Sequence, residues 1–493
     1  MSSSSSPAHA VFFPFPAQGH VASALHLAKL LHARGGIRIT FVHSERNRRR
    51  VLRSRGADAL DGVPGFRFAA VPDGLPLDGD SPPGMFPLLV SIRSTVQQFK
   101  DVLDEAAAAG EPATCVVSDM DHILLAAREM GLPTVVSWMP SACSLLSNQH
   151  FQQLIDRGLV PLKGGADAEQ LSNGHLDRTV VDWVPGMPAD MRLRDFGPFV
   201  RTTDRDDAVL TMSLFFMECI RTVPSAIVLN TFDELDGEVV ATLSQLVPPV
   251  YTVGPLPQLA AAHVVTGQRS PVDALGASLW PEDGGCLEWL RGKPPRSVLY
   301  VNFGSIVVLT REQLVELAWG LAKSGHHFLW VIRDDQAKGN PIDMFPPEFA
   351  EETKGRGYVT SWCPQEALLR DEAIGAFLTH CGWNSMLDSI CNGIPMLCYP
   401  VAADQQTNCR YARTEWRIGV EVDESIEREA VARMVREVMG EEKKGREMRQ
   451  RAMEWKQKAA MAVAPGGTSW VNLERLISEV FCCSRKDVPH VNA

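Results

Sequence analysis

WCPQEALLRDEAIGAFLTHCGWNSMLDSICNGIPMLCYPVAADQ, residues 362–405, is the stretch whose reading decides the fold. Within it GAFLTH (375–380) reads as a short buried strand, apolar and then stopped by polar residues. Gly382, Asn384 and Ser385 follow, and then a helix-compatible run, MLDSICNG, closed by Gly393 and Pro395. A strand, a glycine turn and a helix start gather backbone N–H groups and the positive end of a helix dipole at one point. His380, Asn384 and Ser385 add side-chain donors there. Phosphate is the natural ligand for such a place. Upstream, Trp362 beside Pro364 offers a flat apolar face for a base ring. Asp388 lies one helical turn past Asn384 and Ser385, where a carboxylate can accept from ribose hydroxyls. Asp404 and Gln405 end the stretch with an acceptor and an amide suited to sugar hydroxyls. The order is base, phosphate, ribose, sugar. A plain strand–helix unit of an α/β core accounts for any one of these residues, but not for the ordered set.

The rest of the chain repeats the strand–loop–helix pattern. AVFFPF (10–15) leads through PAQGH into an amphipathic run from Val21 to Arg34, and IRITFVH (37–43) follows. EPATCVVSD (111–119), PTVVSWMPSAC (133–143), SAIVLNTF (225–232) and PVYTVGPL (249–256) are further strands. In the second half come SVLYVNFGS (297–305), HFLWVIR (327–333) and GYVTSW (357–362). This alternation predicts an α/β protein of two Rossmann-like, doubly wound parallel sheets. Residues 1–256 form the first domain and 286–463 the second. The Ala-, Gly- and Pro-rich stretch 257–285 reads as an irregular linker. A last helix occupies 464–481, and 482–493 is expected to be disordered. No G-x-G-x-x-G is present, so the dinucleotide fingerprint is missing.

Two positions in the first half stand where α/β proteins place chemistry. His20, next to Gly19, sits at a loop–helix junction; a lone histidine there is more often a packing residue. Asp119 ends a strand at the sheet edge where open parallel sheets bind ligands. Taken alone it reads equally as the N-cap of the helix that follows. Gly304–Ser305 forms a second glycine turn before a helix, a further source of N–H groups for an anion. The apolar residues around Phe196, Phe199, Met212, Phe215, Phe216 and Met217 suit an apolar ligand, although ordinary helix core is the plainer reading.

A chain of 493 residues exceeds a usual single domain. A net charge of −11 argues against a nucleic-acid or anionic-membrane partner. Eleven cysteines with no C-x-x-C fit reduced, mostly buried thiols in the cytosol. The first residues lack a signal peptide's basic start and apolar core, and no apolar run approaches a membrane span. No H-E-x-x-H, fitting D-x-D or Cys/His cluster at ligand spacing marks a metal.

The 362–405 segment resembles the signature box of the family 1 glycosyltransferases of plants, the UDP-sugar-dependent enzymes of small-molecule glycosylation. The match covers W-x-P-Q (Trp362, Pro364, Gln365), the HCGWNS block (His380 to Ser385), G-x-P (Gly393, Pro395), the closing acid–Gln pair and a length of 44 residues. VPGMPADMRLRDFGPFVRTTD resembles the subgroup acting on cyanohydrins and terpenoid alcohols. The resemblance implies the GT-B arrangement, with UDP-sugar on the second domain, acceptor on the first, and reaction in the cleft between. It makes Trp362 the uracil-stacking residue, with Cys363 beside it, and Gln365 a ribose contact. His380, Asn384, Ser385, the backbone of Trp383, and Ser305 become diphosphate contacts. Asp404 and Gln405 read the sugar. His20 becomes the general base and Asp119 the residue that orients it; Gly19, Ser141 and Phe199 are acceptor-side candidates.

Two departures stand out. Asp388 replaces the family's usual Glu, one methylene longer. Met139 stands where relatives carry a sugar-contacting Thr, which leaves Ser141 or Ser137 to substitute. The implied reaction is inverting transfer of glucose from UDP-glucose to a small apolar aglycone by a monomeric enzyme needing no metal. UDP-galactose, UDP-xylose or UDP-glucuronate as donor, and a non-catalytic sugar-nucleotide-binding protein, are the alternatives. Gln405 favours glucose, and the presence of both His20 and Asp119 favours catalysis.

Overall fold

The computed structural model describes residues 8–75, 85–163, 169–265, 270–337, 340–423 and 425–482. The first half builds a seven-stranded sheet. Its strands are β1 (His9–Phe13), β2 (Arg38–Ser44), β3 (Phe66–Val71), β4 (Cys115–Ser118), β5 (Thr134–Trp138), β6 (Ala226–Leu229) and β7 (Val250–Thr252). The second half builds a six-stranded sheet from β8 (Val298–Asn302), β9 (His327–Val331), β10 (Gly357–Thr360), β11 (Ile374–Thr379), β12 (Met396–Cys398) and β13 (Gly419–Glu421). Every strand pairing in both is parallel. Helices cover both faces, so central strands such as HAVFF and CVVS are buried along their whole length.

Strand order explains where a site forms. It runs β3-β2-β1-β4-β5-β6-β7 in the first sheet and β10-β9-β8-β11-β12-β13 in the second. The direction of winding reverses between β1 and β4, and again between β8 and β11. At such a switch point the loops part and leave a crevice beyond the carboxyl ends of the strands. The loop after β1 carries Gly19 and His20, and β4 runs straight into Asp119. The loop after β8 carries Gly304 and Ser305, and β11 runs into His380.

Three strands escape the sequence reading. β3 is an edge strand whose middle residues are only half-buried, and β12 and β13 have three residues each, too short to show a period. The stretch expected to be irregular, 257–285, starts inside a helix, Leu256–Val265. Its alanines favour the helix. Contacts on more than one side hide its period: Leu256 and Leu259 are fully buried, and the His263 ring stacks on Trp470 at 4.4 Å.

Trp470 belongs to the final helix, Thr468–Leu476, continued by one wider turn to Phe481. Its apolar face, Trp470, Leu473, Leu476 and Phe481, packs with core residues of β1, β2 and β4 from the first half. Ser469 Oγ donates to Gly254 O at 2.5 Å and Asn472 Nδ2 to Thr252 Oγ1 at 2.8 Å. The expected tail beyond Cys482 lies outside the described residues. Among those residues no helix is long and apolar enough to cross a membrane, and the described cysteines are free thiols, all buried except Cys482.

Candidate active site

His20 lies in the first turn of the helix Gln18–Gly35. Its Nδ1 stands 2.5 Å from Asp119 Oδ2. The other carboxylate oxygen, Oδ1, accepts from the backbone N–H of Phe15 at 2.6 Å. Asp119 is therefore held at both oxygens and buried, whereas the His20 side chain keeps 28% of its surface open. A carboxylate only accepts, so Nδ1 carries the proton and Nε2 is left as the base. The Phe15 ring meets the imidazole edge-on at 5.3 Å and limits its tilt. The alternative of Asp119 as a helix N-cap fails. Met120 occupies that position in front of Asp121–Glu129, with no side-chain cap.

The helix Trp383–Asn392 begins at Gly382, and no side chain caps its first N–H groups. These amides and the positive end of the helix remain for an anion. His380 lies over the same turn, between two glycines. A Cβ on Gly304 would stand 2.6 Å from its Cε1, and one on Gly382 would stand 2.4 Å from its Nε2. Only glycine fits at either position, and Gly304 also takes a left-handed φ of 71°. Burial, helped by the Arg333 guanidinium, pushes the His380 imidazole down to about 4. Its Nδ1 is buried without a partner among the described residues. Arg333 holds the 304–307 loop from beneath. It donates to Gly304 O at 2.6 Å and Val307 O at 2.9 Å and pairs with Asp335 at 2.9 and 3.0 Å. Ser305 lines a cleft between the halves with Gln18, Arg50, Leu279 and Trp280.

Several side chains named from the sequence are engaged differently. Asn384, expected on the diphosphate, reaches across to the first half. It donates to Gly19 O at 2.9 Å and accepts from Ser23 Oγ at 2.8 Å and Asn230 Nδ2 at 3.4 Å. The Trp383 indole joins the same seam, donating to Asn230 O at 2.8 Å. Gln365, the expected ribose contact, donates to Asp388 Oδ2 at 3.0 Å and Ser385 Oγ at 3.2 Å and accepts from Asn302 at 3.1 Å. Burial and then the neighbouring Glu366 charge raise Asp388 to about 7. Cys363 turns its thiol into the core, against the Tyr300 hydroxyl at 3.2 Å, which leaves only its backbone for a ligand. One face of Trp362 is covered by Trp280, with ring centres 4.7 Å apart, and the Arg50 guanidinium lies 5.0 Å over Trp280.

At the close of the 362–405 stretch, Asp404 Oδ2 accepts from Asn408 Nδ2 at 2.8 Å and from Ser141 N of the other half at 3.4 Å. Burial raises the Asp404 carboxyl, and the hydrogen bonds from Asn408 and from Ser141 N oppose that shift. Gln405 Oε1 accepts from Val401 N and Ala402 N, both at 2.8 Å. Its NH₂ is thereby the group left to donate to a ligand. Both serines named for the hydroxyl that Met139 lacks are buried. Ser141 is fully buried and caps the helix Ala142–Gln149 through Ser144 N at 3.1 Å, and Ser137 Oγ is buried in β5. Phe199 packs edge-on against Phe151 at 5.9 Å, while Phe196 and Met217 are core residues and Phe215 is half exposed.

Asn230, Asn302 and Trp280 escaped the sequence reading. The signal for the asparagines was available: each is a polar residue at or just past the carboxyl end of an apolar strand. Trp280 is a lone aromatic in a low-complexity stretch, with nothing local to mark it.

The family model described as "UDP-glucoronosyl and UDP-glucosyl transferase" matches residues 226–456. The chain is 47% identical to 7-deoxyloganetin glucosyltransferase of Gardenia jasminoides over 95% of its length and 97% of that protein. It is 46% identical to (R)-mandelonitrile beta-glucosyltransferase of Prunus dulcis, covering 97% of this chain and 98% of that one. Among solved structures, Os79 from O. sativa in complex with UDP aligns with a TM-score of 0.77 at 27% identity, over 95% of this chain and 99% of that one. UDP-glucose: anthocyanidin 3-O-glucosyltransferase in complex with UDP aligns with a TM-score of 0.79 at 25% identity, over 96% and 98%.

Proposed function

The chain belongs to the plant UDP-glucosyltransferase family, and from that premise we propose how its own residues transfer glucose from UDP-glucose to a hydroxyl of a small, largely apolar aglycone. The observation that carries the proposal is the closed contact from Phe15 N through Asp119 to His20 Nδ1. His20 Nε2 takes the proton of the acceptor hydroxyl as that oxygen attacks the anomeric carbon. Asp119 offsets the charge on the imidazolium that forms. The bond from the anomeric carbon to the phosphate oxygen breaks, and its electron pair leaves with UDP. Attack opposite the diphosphate inverts the α-linked donor to a β-glucoside.

Charge grows on the departing diphosphate. The uncapped amides before Trp383–Asn392, the Gly304–Ser305 loop, His380 and the Ser385 hydroxyl meet it as donors. Trp362, with the Cys363 backbone, holds the uracil. Gln365 and Asp388 accept the ribose hydroxyls as a pair, and Asp404 with the Gln405 amide reads the sugar. Gly19 and Phe199 border the acceptor. The first half, up to residue 256, carries the acceptor, and 286–463 carries the donor. No step in this scheme needs a metal, and we read the protein as a cytosolic monomer. The acceptor class rests on relatives named for 7-deoxyloganetin and (R)-mandelonitrile.

A panel of terpenoid alcohols and cyanohydrins incubated with UDP-glucose, with and without EDTA, tests the reading. Mass spectrometry reports transfer, and proton NMR of the isolated product reports the anomeric configuration. A β-glucoside formed at the same rate in EDTA is expected. An α-glucoside, or no transfer to any member of the panel, overturns it.

A further inference from the structure

Three elements that carry the donor box converge on a cluster the scheme above does not use. Cys381 follows His380 after β11, Cys398 ends β12, and Cys409 lies in the helix Gln405–Thr414. Their sulfurs all lie within 4.8 Å of one another. All three residues are buried, at 0%, 0% and 1% exposure. The surroundings are apolar: Trp383, Ala412, Tyr411 and Trp416 belong to the same packed group. Cys381 also takes a left-handed φ of 66°, an uncommon backbone for a residue with a side chain.

Buried cysteines are often no more than small apolar residues. Two features set this cluster apart. The sulfurs face each other from three separate elements, and they lie within 4.8 Å of one another, near the spacing of a coordination sphere. Three sulfurs about 2.3 Å from a common ion, in one plane, stand about 4.0 Å apart. From the observed limit of 4.8 Å, reaching that value takes a contraction of at most about 0.8 Å. No fourth His, Cys, Asp or Glu ligand joins the three among the described residues. A dry three-sulfur site suits an ion that accepts three soft ligands without water, and thiolate sets select Cu(I) over hard cations.

We infer that Cys381, Cys398 and Cys409 form a binding site for a single Cu(I) ion beneath the donor box. The ion takes two thiolates and one neutral thiol, so two protons leave as it binds and no electron is transferred. The net charge of −1 that results lies near the Arg413 guanidinium; Glu421, which pairs with Arg413, is the opposing charge. An ion there ties the turn before Trp383 to β12 and to the helix that begins with Gln405. It therefore acts on the elements that would hold the diphosphate and the sugar, without touching either.

The test uses the full chain with Cys482→Ser and Cys483→Ser, which removes the tail thiols. The reduced protein is incubated without oxygen with Cu(I) buffered by bicinchoninate, then desalted. Retained copper is counted by atomic absorption, and thiolate-to-copper charge transfer is read in the ultraviolet. One copper per chain, the charge-transfer band and a raised melting temperature are expected. Cys409→Ala and Cys398→Ala, each still showing a UDP-induced rise in melting temperature as a check of fold, should lose copper affinity at least about tenfold. Cys286→Ser, at a distant buried thiol, should keep it. No retained copper in the parent, or equal retention in Cys409→Ala, overturns the inference.

Discussion

The two groups of residues facing the cleft differ in how their polar atoms are used. On the first half, His20 and Asp119 form a finished unit. Each Asp119 oxygen has one donor, and one imidazole nitrogen keeps its lone pair. On the second half, the box side chains largely hold one another or the opposite half. Gln365 sits on Asp388 and Ser385, Asn384 on Gly19, Ser23 and Asn230, and Gln405 Oε1 on two backbone amides. What remains open there is backbone, the amides of a helix start and a glycine loop. Chemistry needs a side chain of fixed orientation, whereas diphosphate binding can draw on N–H groups that the fold supplies regardless of side chains.

That contrast can be broken at several points. The largest effect belongs to the finished unit. Asp119→Asn frees His20 to adopt the wrong tautomer, and kcat for an unactivated alcohol should fall by ~10²–10⁴. UDP affinity, measured by calorimetry, should be unchanged; a matching loss of UDP affinity would place Asp119 in the donor site instead.

Asn384→Ala separates the two views of the box. It removes three hydrogen bonds across the halves, each worth about 0.5–1.5 kcal/mol net. The denaturation midpoint of the free protein should drop clearly, and UDP affinity should fall by less than about tenfold. An unchanged midpoint with a larger loss of UDP affinity would show that Asn384 acts on the phosphate.

Trp280→Ala uncovers one face of Trp362 and also removes the ring beneath the Arg50 guanidinium. At about 0.5–1.5 kcal/mol for an aromatic pair, UDP and UDP-glucose should both weaken roughly two- to tenfold. Unequal losses would tie Trp280 to the sugar.

The smallest effect is a pH dependence. Asp388 is raised to about 7 by burial and by Glu366, so in the free protein it is mostly protonated at pH 6 and mostly ionised at pH 8. Ribose hydroxyls donate better to the ionised form. A ligand that favours the ionised form binds more tightly as pH rises through the folded-state value. UDP-glucose affinity should therefore rise a few-fold from pH 6 to pH 8, and Asp388→Asn should flatten the curve. A flat parent curve would remove Asp388 from the ribose contact.

The fold was legible wherever strands were long and central. β1, β2, β8 and β11 announce themselves as apolar runs ended by polar residues, whereas the strand order, and with it the switch points, shows only in the structure. β12 and β13 were not legible, because three residues carry no period. The helix at Leu256–Val265 was not, because burial on more than one side erases the polar face that would reveal it. Within the site, the sequence named the residues but not their free atoms. Asn384 looks like a phosphate donor until Gly19, 365 positions away in the chain, proves to be its partner. Buried polar atoms must be partnered, and the partner is often supplied by a distant segment. Trp280 illustrates the same limit: its role depends on Trp362 and Arg50, neither of them a neighbour in sequence.

The central claim is that His20 Nε2 removes the acceptor proton. The most direct measurement is the rate of His20→Ala relative to the parent across acceptors of graded acidity, from an aliphatic alcohol to a strongly acidic phenol. A general base matters most where the hydroxyl is least acidic. The account predicts a deficit of ~10²–10⁴ with the aliphatic alcohol, shrinking steadily as the acceptor becomes more acidic, with UDP binding retained throughout. A deficit of the same size for every acceptor, or parent-like turnover of the aliphatic alcohol, would contradict it.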